Sequence, residues 1–278
     1  MAVLGAYYFF AHPVTALSAL WQIALFFVVW VLMWLPIAIP IAIVIKWRPS
    51  QVLTLQQKLP LVASLYAIAP LVLWLAAQLT VVPFSAYGIT WNLAFLQSVG
   101  IGFSISILGL IALFGLQQWV GWLTWNPDRW ANLQAALLPT LLLGLWVSFT
   151  EELIFRGFVL NQLQQDYLPW LAAGLSSLIF ALLHLVWEGR AIVPQLPGLW
   201  LMGMVLVLAR WIDHGSLGIA CGLHAGWIWG IASLDTADII QYTGQGSAWL
   251  TGLAGKPLAG GIGLLLMLLT GGVLAFAQ

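Results

Sequence analysis

Glu151 and Glu152 stand side by side in WVSFTEELIFRG, in a chain of 278 residues with only eight acidic and eight basic side chains. A carboxylate in an apolar helix is costly to place in a bilayer, so such residues are functional candidates by default. Helical neighbours in sequence diverge by about 100°, whereas residues four apart share a face. Glu152 therefore lies beside Arg156, acid before base, and the two read as a structural ion pair. Glu151 is turned away from them and is left as the free carboxylate. A free carboxylate in such a place suits a general acid or base, and a neighbouring metal would hold it ionised as a ligand. The plainer alternative is that all three residues form a charge cluster serving packing alone.

Partners for that chemistry come from two later apolar segments. FALLH, residues 180–184, ends in His184, and GLHAGWIWG contains His224. One carboxylate and two imidazoles on three helices make the ligand set of a His₂Glu catalytic zinc site, with Glu151, His184 and His224 as ligands and water in the open position. The same three could work without metal, Glu151 and His184 activating water and His224 stabilising an oxyanion. Taken singly, each histidine could equally hydrogen-bond to a neighbouring helix. Phe180, one turn before His184, is expected to pack on its ring. Cys221, one turn before His224, is read as a small packing residue, with nucleophile or extra metal ligand as the alternatives. Glu188 reads as a solvated end residue or a partner for His184. Asp213, Asp235 and Asp238 read as loop acids, and His12 and His214 as interfacial residues near span ends.

The elements that must position these groups are membrane helices. The chain is 63% hydrophobic, has 18 Trp and a mean hydropathy of +1.02, which no soluble domain of this length shows. Its net charge is zero, so there is no basic footprint for nucleic acid. The single Cys excludes an intramolecular disulfide framework and a CxxC pair. The N-terminus lacks a positive n-region, so the first apolar segment is expected to be retained.

The reading is an all-α, polytopic membrane helix bundle with about eight transmembrane helices, since about 20 apolar residues are needed per crossing. The spans are expected near 18–45, 59–82, 93–120, 139–165, 167–187, 196–212, 215–233 and 259–277, with Pro36 and Pro40 kinking the first. Lys46, Arg48, Lys58, Arg129, Arg190 and Lys256 fall on the odd loops, which places those loops in the cytoplasm. The Trp-rich stretch WVGWLTWNPDRW, residues 119–130, reads as an interfacial anchor. Residues 1–130 form an N-terminal set of helices and 131–278 the core that carries the chemistry. Gly218, Gly222, Gly226 and Gly230 recur every fourth residue, a stripe that permits close helix approach, with Leu217, Cys221, His224 and Ile228 on roughly the opposite face. At about 1.5 Å per residue, Glu151 lies roughly 18 Å into a span beginning at Pro139. His184 lies within about 5 Å of its own span's end, so the two meet only if one of these boundaries moves or the fourth helix tilts.

EELIFR fits EExxxR, FALLH fits FxxxH, and His224 follows in a later helix. In that order and setting the chain resembles the CPBP family of intramembrane proteases, the Abi or CAAX-protease type, which includes the type II CAAX prenyl endopeptidases. The matched region runs from about Thr150 to Ile231. The resemblance implies hydrolysis of a peptide bond in a membrane-tethered protein or peptide, lipidated or not, by water activated at Glu151 and His184. Glu152 and Arg156 then support the site, and His224 is a ligand or oxyanion stabiliser. It leaves open whether zinc takes part, since related members are read as metal-independent glutamate proteases. The chain is expected to be a multi-pass protein of the cell membrane. One departure concerns Ile228, where the family commonly has Asn or Asp: Ile can neither donate a hydrogen bond nor bind metal, and the indoles of Trp227 or Trp229 are the substitutes at hand. A non-catalytic scaffold or immunity protein of the same fold is the alternative, and a proton or ion relay a third class.

Overall fold

The computed structural model describes residues 17–48, 53–80, 82–252, 256 and 259–276. His12 lies outside them. The architecture is the expected all-α membrane bundle. Helices α1 (Ala19–Val44) and α2 (Leu55–Thr80) form a hairpin. Its two legs are tied where Trp30 Nε1 donates to the Leu65 carbonyl at 3.0 Å and Trp34 Nε1 to Ser64 Oγ at 2.9 Å. Indoles so engaged satisfy their one polar atom inside apolar surroundings. Pro36 and Pro40 lie inside α1 without ending it.

Helix α3 (Leu93–Trp119) opens on Asn92, whose side chain accepts the Phe95 N–H, one of the orphan donors at a helix start. The Trp-rich stretch expected as an interfacial anchor also builds structure: β1 (Leu123–Trp125) pairs antiparallel with β2 (Ile240–Tyr242), Leu123 opposite Tyr242. The next helix begins at Trp130 rather than Pro139, because Pro139 is accommodated inside it. It runs as α4 (Trp130–Glu152), a π-helical segment (Leu153–Val159) and α5 (Leu160–Asp166). Then come α6 (Pro169–Glu188), a 3₁₀ turn (Gly189–Gln195), α7 (Leu196–Ile212), α8 (Gly218–Ala237), β2, the short α9 (Ala248–Thr251) and α10 (Gly261–Phe276).

Five helical stretches among the described residues are long and apolar enough to cross a bilayer: 19–44, 56–80, 93–119, 127–166 and 169–212. The last folds back at the 3₁₀ turn, where Trp170 of α6 meets Trp211 of α7 at the far end, ring centroids 4.6 Å apart. Large apolar side chains such as Leu32, Ile43, Leu108 and Phe276 stand on the outside of the bundle, as befits an integral membrane protein whose solvent is lipid.

Helix α8 is long enough to span but less apolar than those five. It sits between α3 and α4, shielded from lipid, and the glycine stripe explains how. A Cβ at Gly222 would run into the Val99 carbonyl and one at Gly226 into Ser106 of α3; from the other side, a Cβ at Gly144 of α4 would lie 3.0 Å from the Ala225 carbonyl. Small residues on both sides let the backbones approach, which is how membrane helices gain packing when lipid is as apolar as their side chains. Gly102 of α3 repeats the arrangement against Ile219.

Candidate active site

The site forms where α2, α4, the π segment, α6 and α8 converge. Every residue from Glu151 to Leu160 is buried. Glu152 and Arg156 are fully buried, and Arg156 Nη1 donates to Glu152 Oε1 at 2.9 Å, as the spacing requires. The same Oε1 lies 2.7 Å from His224 Nδ1. Glu152 is therefore more than half of an ion pair: it also holds the imidazole of α8. Glu151 is not free either. The hydroxyl of Tyr66 on α2 donates to its Oε1, and its Oε2 faces His224 Nε2 at 3.7 Å. His224 thus stands between the two glutamates, one ring nitrogen toward each.

His184 is partly buried and joins the cluster through Phe180. Its ring centroid is 4.8 Å from that of Phe180, His224 lies on the same ring at 6.0 Å, and the Arg156 guanidinium sits 4.4 Å over it. The expected packing of Phe180 on His184 is thus present, and the phenyl ring does more, since a guanidinium over an aromatic face is held by the ring quadrupole. Among the described residues no hydrogen bond joins His184 directly to Glu151 or His224. The depth difficulty disappears when both are measured from their shared turn: Glu151 precedes Asp166 by 15 residues, and His184 follows Pro169 by 15.

Hydrogen-bond partners assign the tautomers. His184 Nδ1 lies 2.9 Å from the Phe180 carbonyl, which only accepts, so Nδ1 carries the proton and Nε2 presents a lone pair. His224 Nδ1 donates to Glu152 by the same reasoning, so neutral His224 also has an unprotonated Nε2. Both are the atoms a zinc ion would use, and a carboxylate behind a ligating imidazole is the usual support. Yet among the described residues no group of three His, Cys, Asp or Glu side chains is gathered closely enough to hold a metal ion. The donor types suit zinc and their arrangement here does not.

The π segment has identifiable supports. In an α-helix the Leu160 N–H would bond the Arg156 carbonyl; here it bonds Phe155 O, one residue further back. Arg210 of α7 takes the Arg156 carbonyl through Nη1, which also donates to Asn161 Oδ1 at 2.8 Å, while its Nε donates to Gly215 O at 3.1 Å. Ser176 Oγ of α6 donates to Phe155 O at 2.9 Å. π-bulges cluster at functional sites because they re-aim side chains within an otherwise continuous helix.

Other candidates resolve as structure. Cys221 is fully buried and free. Glu188 pairs with Lys58 rather than with His184. Asp213, read as a loop acid, accepts from Ser98 Oγ at 2.7 Å and from the Ile219 N–H at 3.1 Å, fixing the start of α8. Asp235 lies within α8, 4.0 Å from Lys256, and Asp238 at its C-cap, 3.7 Å from Arg129. His214 sits in the α7–α8 turn at positive φ. The Trp229 indole is spent on the Leu137 carbonyl at 2.8 Å. That of Trp227 is buried without a hydrogen-bond partner among the described residues and lines a small apolar cavity with Met202 and Met267. Neither replaces the donor absent at Ile228. Tyr66 and Arg210 are the site residues missed in sequence: a lone Tyr in an apolar helix and an Arg near a span end carry no motif.

Fold and site together define a polytopic membrane protein with a buried cluster of carboxylates, imidazoles and guanidinium. Residues 133–230 match the family model described as type II CAAX prenyl endopeptidase Rce1-like, consistent with the CPBP resemblance of EELIFR and FALLH. This domain supports a CAAX-protease-like function. No curated protein and no solved structure matches the chain.

Proposed function

We propose that the protein is an intramembrane endopeptidase that hydrolyses a peptide bond of a membrane-tethered, CAAX-type substrate, with the cell membrane as its location. The observation that carries this reading is the buried Glu151 carboxylate, held between the Tyr66 hydroxyl and His224, inside the segment that matches the endopeptidase family. Glu151 takes a proton from water as the water oxygen attacks the carbonyl carbon, and His184 Nε2 is the second base lining the site. The carbonyl π electrons move to oxygen. When the C=O re-forms, the C–N bond breaks and the proton held at Glu151 passes to the leaving amine. Glu152 and Arg156 act one step back, Glu152 by orienting His224 and Arg156 by neutralising Glu152. The mechanism is of the glutamate type, with protein groups and water as its participants.

The test is cleavage of a bilayer-anchored fluorogenic peptide, prenylated or not, by purified protein in proteoliposomes. Wild type is expected to cleave, with Glu151→Gln and His184→Ala inactive or nearly so. Equal turnover by all three, or none by wild type, sinks the reading.

A further inference from the structure

Hydrolysis of an amide passes through a tetrahedral oxyanion, and donors preorganised for that oxygen are worth about 10²–10³ in kcat each. Position 228 is Ile and has no such donor. The Trp229 indole is occupied by Leu137 O, and that of Trp227 lines the cavity beside Met202 and Met267. His224 donates its Nδ1 proton to Glu152, so its Nε2 can donate only as an imidazolium. Arg156 spends Nη1 on Glu152; its Nε and Nη2 have no partner among the described residues, but the side chain is fully buried against the Phe180 ring. The Tyr66 hydroxyl is different: a neutral donor, protonated without help from a second group, already aimed at Glu151 Oε1.

From this geometry we propose that Tyr66 is a catalytic residue that donates its phenolic hydrogen bond to the oxyanion of the tetrahedral intermediate. The proposal rests on the endopeptidase reading above. In the resting site the hydroxyl is parked on Glu151. When Glu151 takes the proton from water its carboxylate loses the charge that drew the phenol, at the moment negative charge appears on the neighbouring carbonyl oxygen. The hydrogen bond moves from one to the other and no proton is transferred by Tyr66. The residue comes from α2, outside the segment 133–230 that matches the family model, so the N-terminal helices supply part of the active site.

The experiment compares wild type, Glu151→Gln and Tyr66→Phe in the same proteoliposome assay, with thermal unfolding measured on each. Tyr66→Phe is expected to lower kcat about 10²–10³-fold, to leave KM within about twofold, and to unfold with wild type. A protein in which Tyr66 is replaced by 3,5-difluorotyrosine keeps the shape and acidifies the phenol. Because the donor works only while protonated, the alkaline fall in kcat should then move to lower pH, which a packing role would not produce. Wild-type kcat in Tyr66→Phe, or an alkaline limb unmoved by fluorination, overturns the proposal while Glu151→Gln remains inactive and the endopeptidase reading stands. Absence of cleavage by wild type overturns both.

Discussion

Adjacent glutamates with different work divide here by what each oxygen touches. Glu151 meets Tyr66 and His224 Nε2, whereas Glu152 is fully buried between Arg156 and His224 Nδ1. Removing one partner of a buried ion pair leaves the other charge uncompensated, at a cost of about 3–5 kcal/mol. Glu152→Gln is accordingly expected to lower the unfolding temperature in detergent well below wild type, and to reduce cleavage because His224 Nδ1 exchanges an anionic acceptor for a neutral amide oxygen. Glu151→Gln should unfold with wild type yet lose about 10²–10⁴ in cleavage rate, the usual contribution of a general base. If the stability losses came out in the opposite order, the division of labour would be wrong whatever the reaction. Helical spacing announced the Glu152–Arg156 contact. It also implied that Glu151 was free, which fails because the group that meets it lies 85 residues earlier in the chain.

Among the elements, α8 is the one whose position depends most on absent side chains. Gly222 faces the α3 backbone, whereas Gly100, on α3 itself, has open space where a Cβ would go. Gly222→Leu is expected to prevent assembly of a folded protein by size-exclusion profile, and Gly100→Ala to be neutral; equal behaviour of the two would refute the close approach. The π segment is a second such feature. Arg210 is buried with no carboxylate partner among the described residues, and its hydrogen bonds go to Arg156 O, Asn161 and the carbonyls of Gly215 and Ala86. Arg210→Met removes this donor from the buried Arg156 carbonyl, at about 1–3 kcal/mol for a buried group left unsatisfied, whereas Ala86 O keeps its bond from Asn161 Nδ2. Faster amide hydrogen exchange across residues 153–160 is the expected signature, and unchanged exchange there would show that the π turn holds itself. Helix periodicity gave no hint of this segment, because a π turn continues the same apolar run; the extra residue is stabilised by donors from α6 and α7, which meet it only in the folded bundle.

For the molecule as a whole, the free imidazole nitrogens suit zinc, but the Glu151, His184 and His224 side chains are not grouped as three ligands. Purified protein is therefore expected to contain well under one metal ion per chain, and chelator treatment to leave cleavage within about twofold. One zinc per chain, lost together with activity, would instead require the three side chains to close around a metal. The α1–α2 hairpin bears on the same site: Tyr66 reaches Glu151, and Lys58 pairs with Glu188 one turn beyond His184. These helices, which in sequence offered only hydrophobicity, therefore complete the site laid out by α4, α6 and α8. The sequence by itself determined the bilayer as solvent, the helical class, the glycine face of α8 and the Glu152–Arg156 contact. Each depends on composition or on residues within a few helical turns, where the backbone fixes the geometry. Only the tertiary structure decided that His224 bridges both glutamates, that Phe180 joins His184 to Arg156, that Tyr66 binds Glu151 and that Arg210 takes the carbonyl of Arg156. Those contacts join helices distant in the chain, and in an apolar bundle the rotation and depth of each helix are set by packing against its neighbours rather than by its own pattern.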